Sequence, residues 1–303
     1  MNPPMIQLVD VDKQFGRRLA VDGLTLTVPA GEIFGLLGHN GAGKSTVIGM
    51  LLGQVWPTRG EVRVCGFEVT TRRRQALRQV GAIFETPAFY NELSGRSNLE
   101  IFSTYTAPTS RARIQEVVDW VGLTGREQSA VRTYSHGMRA RLALAQALLP
   151  NPALLILDEP GDGLDPEGIH EMRLTILRLH RELGLTILLS SHLLTEVEQL
   201  CTRIAVLRQG RLVFEGPLEA ARQARCRARL RTSDFGTAVR ELEQAGLVKG
   251  AQGGKWIDLA PGVGTEQVTR RLVEMGLPVY EIAPAAETLE DFYLALMKED
   301  GGR

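Results

Sequence analysis

The hydrophobic pattern at the start of the chain predicts three strands, a glycine-rich loop and a helix. Apolar and polar residues alternate over residues 5–11 (MIQLVDV) and 24–28 (LTLTV), whereas residues 32–38 (EIFGLLG) form a nearly continuous apolar run. Alternation is typical of a strand with one buried face, and a short apolar run is typical of a strand buried on both faces. A helical pattern follows from about residue 44 to residue 55.

The pattern further along predicts an alternation of helices and buried strands. Residues 72–150 are mostly helical in pattern, while residues 153–160 (ALLILDEP) and 185–192 (LTILLSSH) are apolar runs that each precede a helical segment. Residues 203–216 have the pattern of a hairpin that turns at Gln209 and Gly210. Strands that alternate with helices favour a mainly parallel sheet covered on both faces.

A domain boundary is expected near residues 217–224, and we predict one domain over residues 1–220 and a second over 221–303. Residues 225–231 (RCRARLR) alternate arginine with smaller apolar residues, the period of a strand with one solvated face. A solvated strand edge is favoured there over a docking face for anions. Helical and strand-like segments then alternate to the end of the chain, which predicts a small α/β appendage.

Composition and charge limit the possible functions. The chain has 303 residues, zero formal net charge and 44% hydrophobic residues, which indicates a globular protein and gives no global signal for nucleic acid or an anionic membrane. We expect no signal peptide and no membrane span, because no apolar run approaches the roughly 18 residues that a span needs. Cys65, Cys201 and Cys226 are far apart, so we expect them to be reduced, in a reducing compartment.

The glycine-rich segment GHNGAGKST predicts a nucleotide phosphate site. Its glycines allow backbone N–H groups to turn inward around phosphate oxygens, Lys44 reaches the β- and γ-phosphates, and the Ser45 hydroxyl is a ligand for Mg²⁺. A buried strand before the segment and a helix after it make a chance match improbable. The nucleotide-binding residues predicted here are Gly38, His39, Asn40, Gly41, Ala42, Gly43, Lys44, Ser45 and Thr46.

Residues 152–160 (PALLILDEP) predict the second half of the site. An apolar strand that ends in Asp158 delivers a carboxylate to Mg²⁺, and Glu159 follows directly. Glu159 is then placed to polarise the attacking water as a general base. An acidic turn after a strand is common by itself, so the prediction depends on its pairing with the phosphate loop.

Residues 134–149 (YSHGMRARLALAQALL) predict a helix whose N-terminus suits an anion. Ser135 is placed to cap it and Gly137 lies in its first turn, where unpaired N–H groups converge. The helix has no phosphate cradle of its own. Because the phosphate loop, the metal carboxylate and the base leave the outer face of the γ-phosphate uncovered, we expect this helix from a second copy to cover it, with Ser135 and the Gly137 amide as donors.

Five motifs together resemble the ATP-binding subunit of ABC transporters. In this resemblance GHNGAGKST, YSHGM, LLILDEP, GLDP and LLSSH cover about residues 5–220. It implies an α/β P-loop NTPase fold with a RecA-like core, an antiparallel β subdomain and an α-helical subdomain at about 90–150, followed by the α/β appendage. It also implies ATP and Mg²⁺ as cofactors and a dimer in which the signature helix of one copy completes the ATP site of the other.

The same resemblance assigns further roles. Phe15 stands where the family has an aromatic residue that stacks on adenine, and Asp165 where a carboxylate crosses the dimer interface. His192 stands where the family's histidine contacts the γ-phosphate and holds the attacking water. Arg141 matches an arginine that we expect to brace the signature helix. The catalytic residues are accordingly expected to be Lys44, Glu159 and His192.

The sequence departs from the common family pattern at four positions. His39 replaces a frequent proline and is expected to face outward, while His136 and Met138 replace a signature glycine and glutamine; we expect binding in trans to survive. Glu85 stands where many relatives have a glutamine that touches Mg²⁺. Glutamate can also ligate the metal, so the predicted metal ligands are Ser45, Glu85 and Asp158.

The segment IFETPAFYNELSGRSNLEIF with YSHGM resembles the bacterial drug-exporter branch that includes bacitracin and lantibiotic-immunity transporters. We therefore expect an ATPase subunit that forms a homodimer, drives a separate transmembrane permease from the cytoplasmic face of the cell membrane and binds no nucleic acid. The alternatives are a soluble ABC-type ATPase switch without a transport role and a degenerate module that holds ATP without hydrolysing it. Intact Lys44, Asp158, Glu159 and His192 argue against the degenerate module.

Overall fold

A computed structural model describes residues 3–84, 87–106, 109–223, 227–260, 262–285 and 288–298. The chain forms two compact units, one up to Pro217 and one from Leu218 onward. Each unit has a hydrophobic core of its own. None of the described helices combines the length and the apolar character needed to cross a bilayer.

The N-terminal unit contains ten strands and seven α-helices in the described residues. Its strands are β1 (Ile6–Phe15), β2 (Arg18–Val28), β3 (Ile33–Leu37), β4 (Arg59–Val64), β5 (Phe67–Glu68), β6 (Val80–Ile83), β7 (Leu154–Asp158), β8 (Thr186–Ser190), β9 (Arg203–Arg208) and β10 (Arg211–Pro217). Its helices are α1 (Lys44–Leu51), α2 (Val69–Ala76), α3 (Gly95–Thr106), α4 (Arg111–Trp120), α5 (His136–Leu148), α6 (Pro166–Leu183) and α7 (Leu194–Leu200).

A six-stranded sheet in the order β10-β9-β3-β8-β7-β6 forms the centre of this unit. All of its pairings are parallel except the β9–β10 hairpin. Strands β3 and β8 are buried along their whole length, as the apolar runs predict. Leu36 and Asp158 are both in register with Ser190 of β8, so the loops after β3, β7 and β8 leave the sheet at the same edge. Ligand sites in parallel sheets form at this carboxyl edge.

A second, antiparallel sheet in the order β2-β1-β4-β5 packs into the same core. Its buried residues include Leu8 and Leu24, which share a cluster with Phe34 of β3 and Val47 of α1. Strands β1 and β2 extend beyond the predicted segments and are joined by Gly16 and Arg17. The phosphate loop is therefore supported from two sheets.

The prediction of a mostly helical segment over residues 72–150 is wrong at residues 80–83, which form β6. Four residues (VGAI) are too short for periodicity to distinguish a strand from a helix. Parallel pairing with β7 decides the outcome, since it satisfies the backbone groups of β6 at the edge of the central sheet. The predicted helices are present further along as α3, α4 and α5.

The C-terminal unit is a small α/β structure around an antiparallel sheet in the order β12-β13-β11-β14. Its elements are α8 (Leu218–Gln223), β11 (Arg227–Thr232), α9 (Phe235–Gln244), β12 (Val248–Gln252), β13 (Trp256–Leu259), α10 (Thr265–Glu274), β14 (Val279–Ala285) and α11 (Leu289–Lys298). From β11 to β14 the succession is β-α-β-β-α-β, the ferredoxin-like motif.

Strand β11 has the one solvated face that its alternation predicts. Ala228 and Leu230 are buried in a cluster with Leu242 of α9 and Leu272 of α10. The alternate position Arg229 is exposed. Helices α9 and α10 therefore pack with one face of the sheet.

Candidate active site

The phosphate loop connects β3 to α1 and requires glycine for steric reasons. Gly43 has a φ of 109°, a conformation that residues with a side chain rarely adopt. A Cβ at this position would lie 2.8 Å from the carbonyl oxygen of Ala20, in β2. Gly43 thus lets the loop approach the backbone of the neighbouring sheet.

The loop borders a cavity of about 330 Å³ at the carboxyl edge of β3. Residues predicted to bind nucleotide form most of its lining, and Arg18 and Ala20 of β2 join them. The lining residues are Phe15, Arg18, Ala20, His39, Asn40, Gly41, Gly43, Lys44, Ser45, Thr46 and Glu159. Arg18 and Ala20 were missed from the sequence, because strand alternation shows which face a residue occupies but not which loop lies beside it.

Lys44 is a buried cation at the base of α1. Its side chain is 6% exposed, and its Nζ donates a hydrogen bond to the Gly38 carbonyl oxygen at 2.7 Å. The same Nζ lies 3.8 Å from Oε1 of Glu159. Buried charges need partners of this kind, so the ammonium is held in place for an anionic ligand.

Ser190 connects the two acidic residues that follow β7. Its hydroxyl donates to Oδ1 of Asp158 and accepts from the backbone N–H of Glu159 at 3.0 Å. Glu159 has a φ of 48°, which a residue with a side chain adopts only when its surroundings stabilise it. Sequence reasoning missed Ser190, although its place before His192 at the end of an apolar strand was visible.

The carboxylate of Glu159 lies between a cation and an imidazole. Its Oε1 faces Lys44, and its Oε2 contacts Nδ1 of His192, whose side chain is 48% exposed. Lys44, Glu159 and His192, the three residues predicted as catalytic, are therefore together, although they come from three separate segments of the chain. A carboxylate next to an imidazole at the edge of a phosphate cavity can accept a proton from water.

Two helix N-termini converge on a second cavity, of about 310 Å³. Ser135 caps α5 by accepting from the Met138 N–H at 3.2 Å, and Asp165 caps α6 by accepting from the Gly168 N–H at 2.9 Å. Gly137 also lines this cavity. Among the described residues, the linings of this cavity and of the phosphate cavity have no member in common.

The other predicted positions fall in several environments. Ser45, Asp158 and Glu159 all line a larger cavity of about 790 Å³, whereas Glu85 and Cys226 lie outside the described residues. Phe15 is 49% exposed and carries Nζ of Lys13 at 4.6 Å above its ring. His39 is exposed, as expected.

Arg141 braces the signature helix, as the sequence predicts. Its Nη1 lies 3.5 Å from Oε2 of Glu171, which connects α5 to α6. The same nitrogen is 3.5 Å from the Gly122 carbonyl oxygen, in the turn after α4. The arginine therefore holds α5 from two sides.

A glycine loop between a buried parallel strand and a helix, a buried lysine and an acidic pair after a neighbouring strand define a P-loop nucleoside triphosphatase. Known proteins identify its family. A family model described as ABC transporter matches residues 21–162. The uncharacterized ABC transporter ATP-binding protein YhcH of Bacillus subtilis (strain 168) is 46% identical over 209 residues, which are 69% of this chain and 68% of that protein.

Two further proteins extend the match. The bacitracin transport ATP-binding protein BcrA of Bacillus licheniformis is 36% identical over 310 residues, 97% of each chain. A solved ATP-binding subunit of an ABC transporter is 30% identical with a TM-score of 0.64 and covers 73% of this chain and 92% of its own. The chain belongs to the ABC transporter family, as an ATP-binding subunit with ATPase activity.

Proposed function

We propose that two copies of this chain enclose ATP between them and that its hydrolysis drives an exporter of peptide antibiotics or drugs. The separation of the phosphate cavity from the cavity at Ser135 and Gly137 carries this proposal. Within one chain Ser135 and Gly137 do not line the phosphate cavity, and His136 of α5 borders the larger cavity beside Ser45, Asp158 and Glu159 but not the phosphate cavity. A second copy, turned face to face with the first, would bring Ser135 and Gly137 to the phosphate cavity, as an isologous dimer allows.

In this arrangement each residue has a defined task. Phe15 stacks on the adenine, the loop amides and Lys44 hold the phosphates, and Ser135 and Gly137 of the other copy donate to the γ-phosphate. Asp165 approaches the same site across the interface. The γ-phosphate replaces Glu159 as the partner of the Lys44 ammonium. The Glu159 carboxylate is then free to orient the attacking water, which His192 also holds.

The residues also suit Mg²⁺. Asp158 offers a carboxylate and Ser45 a hydroxyl on the border of one cavity, and Mg²⁺ prefers oxygen ligands while it retains waters and phosphate oxygens. Glu85 is proposed as a further ligand. The metal would neutralise charge on the phosphates; the hydrogen bond from Ser190 would keep the Asp158 carboxylate oriented.

The transport role is proposed from the likeness to the bacitracin transport protein, which extends over 97% of both chains. A separate transmembrane permease would then carry the cargo, and the chain would act at the cytoplasmic face of the cell membrane. The transport role is tested by purifying the chain from membranes and asking whether a permease encoded next to it is recovered in the same complex. Recovery without any multi-span partner would argue against transport.

The dimer is tested by light scattering, with and without Mg-ATP, on the variant Glu159→Gln, which we expect to hydrolyse ATP slowly. We expect the mass to double in ATP. Ser135→Trp added to this variant should keep it monomeric, because the bulky side chain fills the N-terminus of α5. Ser110→Trp is the matched control, since Ser110 also caps an exposed helix start, that of α4. A dimer that tolerates Ser135→Trp would overturn the sandwich.

A further inference from the structure

A buried carboxylate adjoins the two loops that carry Glu159 and His192. Glu196, in the first turn of α7, is 8% exposed. Its Oε2 accepts a hydrogen bond from the Ser191 hydroxyl at 3.0 Å. Its Oε1 is buried and receives no hydrogen bond from any described residue. A buried carboxylate oxygen without a hydrogen bond destabilises a fold. The presence of Glu196 is explained if this residue contributes to the function of the site.

The unpartnered oxygen lies against Gly161, two residues after Glu159. A Cβ on Gly161 would lie 2.4 Å from Oε1 and 3.1 Å from Cδ of Glu196. Gly161 is not among the residues with positive φ, so the backbone conformation does not by itself demand glycine. The Glu196 carboxylate therefore packs directly against the backbone of the loop after Glu159, and a side chain at position 161 would displace it.

The other oxygen acts on the loop that carries His192. The Ser191 hydroxyl that donates to Glu196 also accepts from the Leu193 N–H at 3.0 Å. Ser191 and Leu193 flank His192 on both sides. The carboxylate of Glu196 therefore anchors the turn from which the imidazole projects toward Glu159.

We propose that Glu196 is a positioning residue that holds His192 and Glu159 in register by bracing both of their loops. This inference rests on the roles proposed above for Glu159 and His192. Glu196 is not in the lining of any of the three described cavities. Its removal should therefore slow the hydrolytic step while the phosphate loop continues to bind nucleotide.

The first test compares Glu196→Ala with Glu198→Ala on the same helix, in the full chain. We expect kcat to fall roughly 10- to 100-fold in Glu196→Ala, the loss that a small misplacement of catalytic groups causes. The affinity for a non-hydrolysable ATP analogue should change less than about twofold. Glu198→Ala should match the wild type, and Glu196→Gln, which still accepts from Ser191, should retain most of kcat.

The second test asks whether Glu196 acts through these two loops. Gly161→Ala should lower kcat in the wild-type background but have no further effect beside Glu196→Ala, because the collision partner is gone. In a His192→Ala background, Glu196→Ala should lower kcat by a smaller factor than in the wild type, because only its effect through the loop of Glu159 remains. Should Glu196→Ala fail to fold, Ser191→Ala removes only the hydroxyl and examines the same connection.

Four results would overturn the inference: a fully active Glu196→Ala, multiplicative effects in these double variants, a loss of ATP affinity as large as the loss of kcat, or a Glu196→Gln variant as slow as Glu196→Ala. The proposed function fails on a different result, wild-type hydrolysis by Glu159→Gln. An inactive Glu159→Gln with a fully active Glu196→Ala would reject only the role of Glu196.

Discussion

The two units use similar elements, namely short strands, amphipathic helices and glycine turns, but in the described residues the three cavities with charged linings belong to the N-terminal unit. In the N-terminal unit the parallel strands β3, β7 and β8 end at one edge, so Lys44, Glu159 and His192 meet there although they are far apart in sequence. In the antiparallel sheet of the C-terminal unit, neighbouring strands end at opposite edges. Strand direction, more than composition, therefore decides where a site can form.

Two ion pairs join neighbouring strands of the C-terminal sheet. Nε of Arg227 lies 2.5 Å from Oδ1 of Asp258, and Nη1 of Arg229 lies 3.5 Å from Oε1 of Glu281. In the N-terminal unit the contact between Lys44 and Glu159 is longer, 3.8 Å, and lies on the border of a cavity. The half-exposed pair of Arg229 and Glu281 contributes little to stability, whereas the buried ammonium of Lys44 borders a cavity that can hold a ligand.

The largest expected effect is a difference in ATPase rate between substitutions of two glutamates, Glu159 in the N-terminal unit and Glu281 in the C-terminal unit. Glu159→Gln removes the proposed base and should slow phosphate release at saturating Mg-ATP by about a thousandfold, since one catalytic polar group contributes on the order of 10²–10³ in rate or more. Glu281→Gln should leave the rate unchanged, because it alters an exposed pair in the other unit. Similar ATPase rates for the two variants would contradict the view that catalysis depends on the N-terminal unit alone.

A smaller expected effect is a difference in ATP affinity between substitutions of two lysines, Lys44 of the N-terminal unit and Lys255 of the C-terminal unit. Lys44→Ala removes the buried ammonium and should weaken ATP binding by about a hundredfold, as charge-assisted hydrogen bonds to phosphate contribute roughly 1.5–3 kcal/mol. Lys255→Ala, an exposed residue of the C-terminal unit, should have no measurable effect. Isothermal titration calorimetry with a non-hydrolysable analogue gives both values. An unaltered affinity in Lys44→Ala would exclude the phosphate loop as the binding site.

The cores of the units should respond separately to a lost methyl group. Ile257→Val, in the C-terminal core, should lower the free energy of unfolding of that unit by about 0.5–1.5 kcal/mol and leave ATP affinity unchanged. Ile156→Val is the matched substitution in β7. Hydrogen exchange of backbone amides resolves the two units. Loss of protection in both units from Ile257→Val would mean that they unfold as one.

The smallest expected effect concerns how the free energy of unfolding depends on pH, which should have opposite signs for Glu196 and Asp234. Burial raises the pKa of Glu196 above its ordinary value of 4.5, so its contribution to stability is complete at low pH and is lost as pH rises through the raised pKa. The backbone hydrogen bond from Thr237 lowers the pKa of Asp234 below 3.8, so its contribution is present at neutral pH and is lost as pH falls.

These signs are measured by unfolding at a series of pH values. As pH rises above about 4.5, the free energy of unfolding of Glu196→Gln should increase relative to that of the wild type. For Asp234→Asn, the loss of free energy of unfolding relative to the wild type should be smallest at the acidic end of the series. A Glu196→Gln variant that follows the wild type at every pH would mean that this carboxylate is not destabilised by burial.

Much of the site could be predicted because the signals are local. The glycine loop, Asp158 and Glu159 each lie directly after a short apolar run, and such runs form strands that are buried on both faces. Strand β6 escaped prediction, since four residues without a repeat contain too little information. Ser190 was also missed, because its partners Asp158 and Glu159 follow a different strand. Glu196 was missed because its approach to Gly161 depends on how two loops pack together.

By itself, the sequence determined the residue types of the site, their order along the chain and their resemblance to one family, because phosphate binding needs particular groups in a short continuous segment. Only the tertiary structure decided that the Glu159 carboxylate lies between Lys44 and His192, and that Ser135 and Gly137 line a different cavity from the one that the phosphate loop borders. These are contacts between distant segments. Their geometry follows from how parallel strands align and loops pack, which depends on the whole fold and on no single segment.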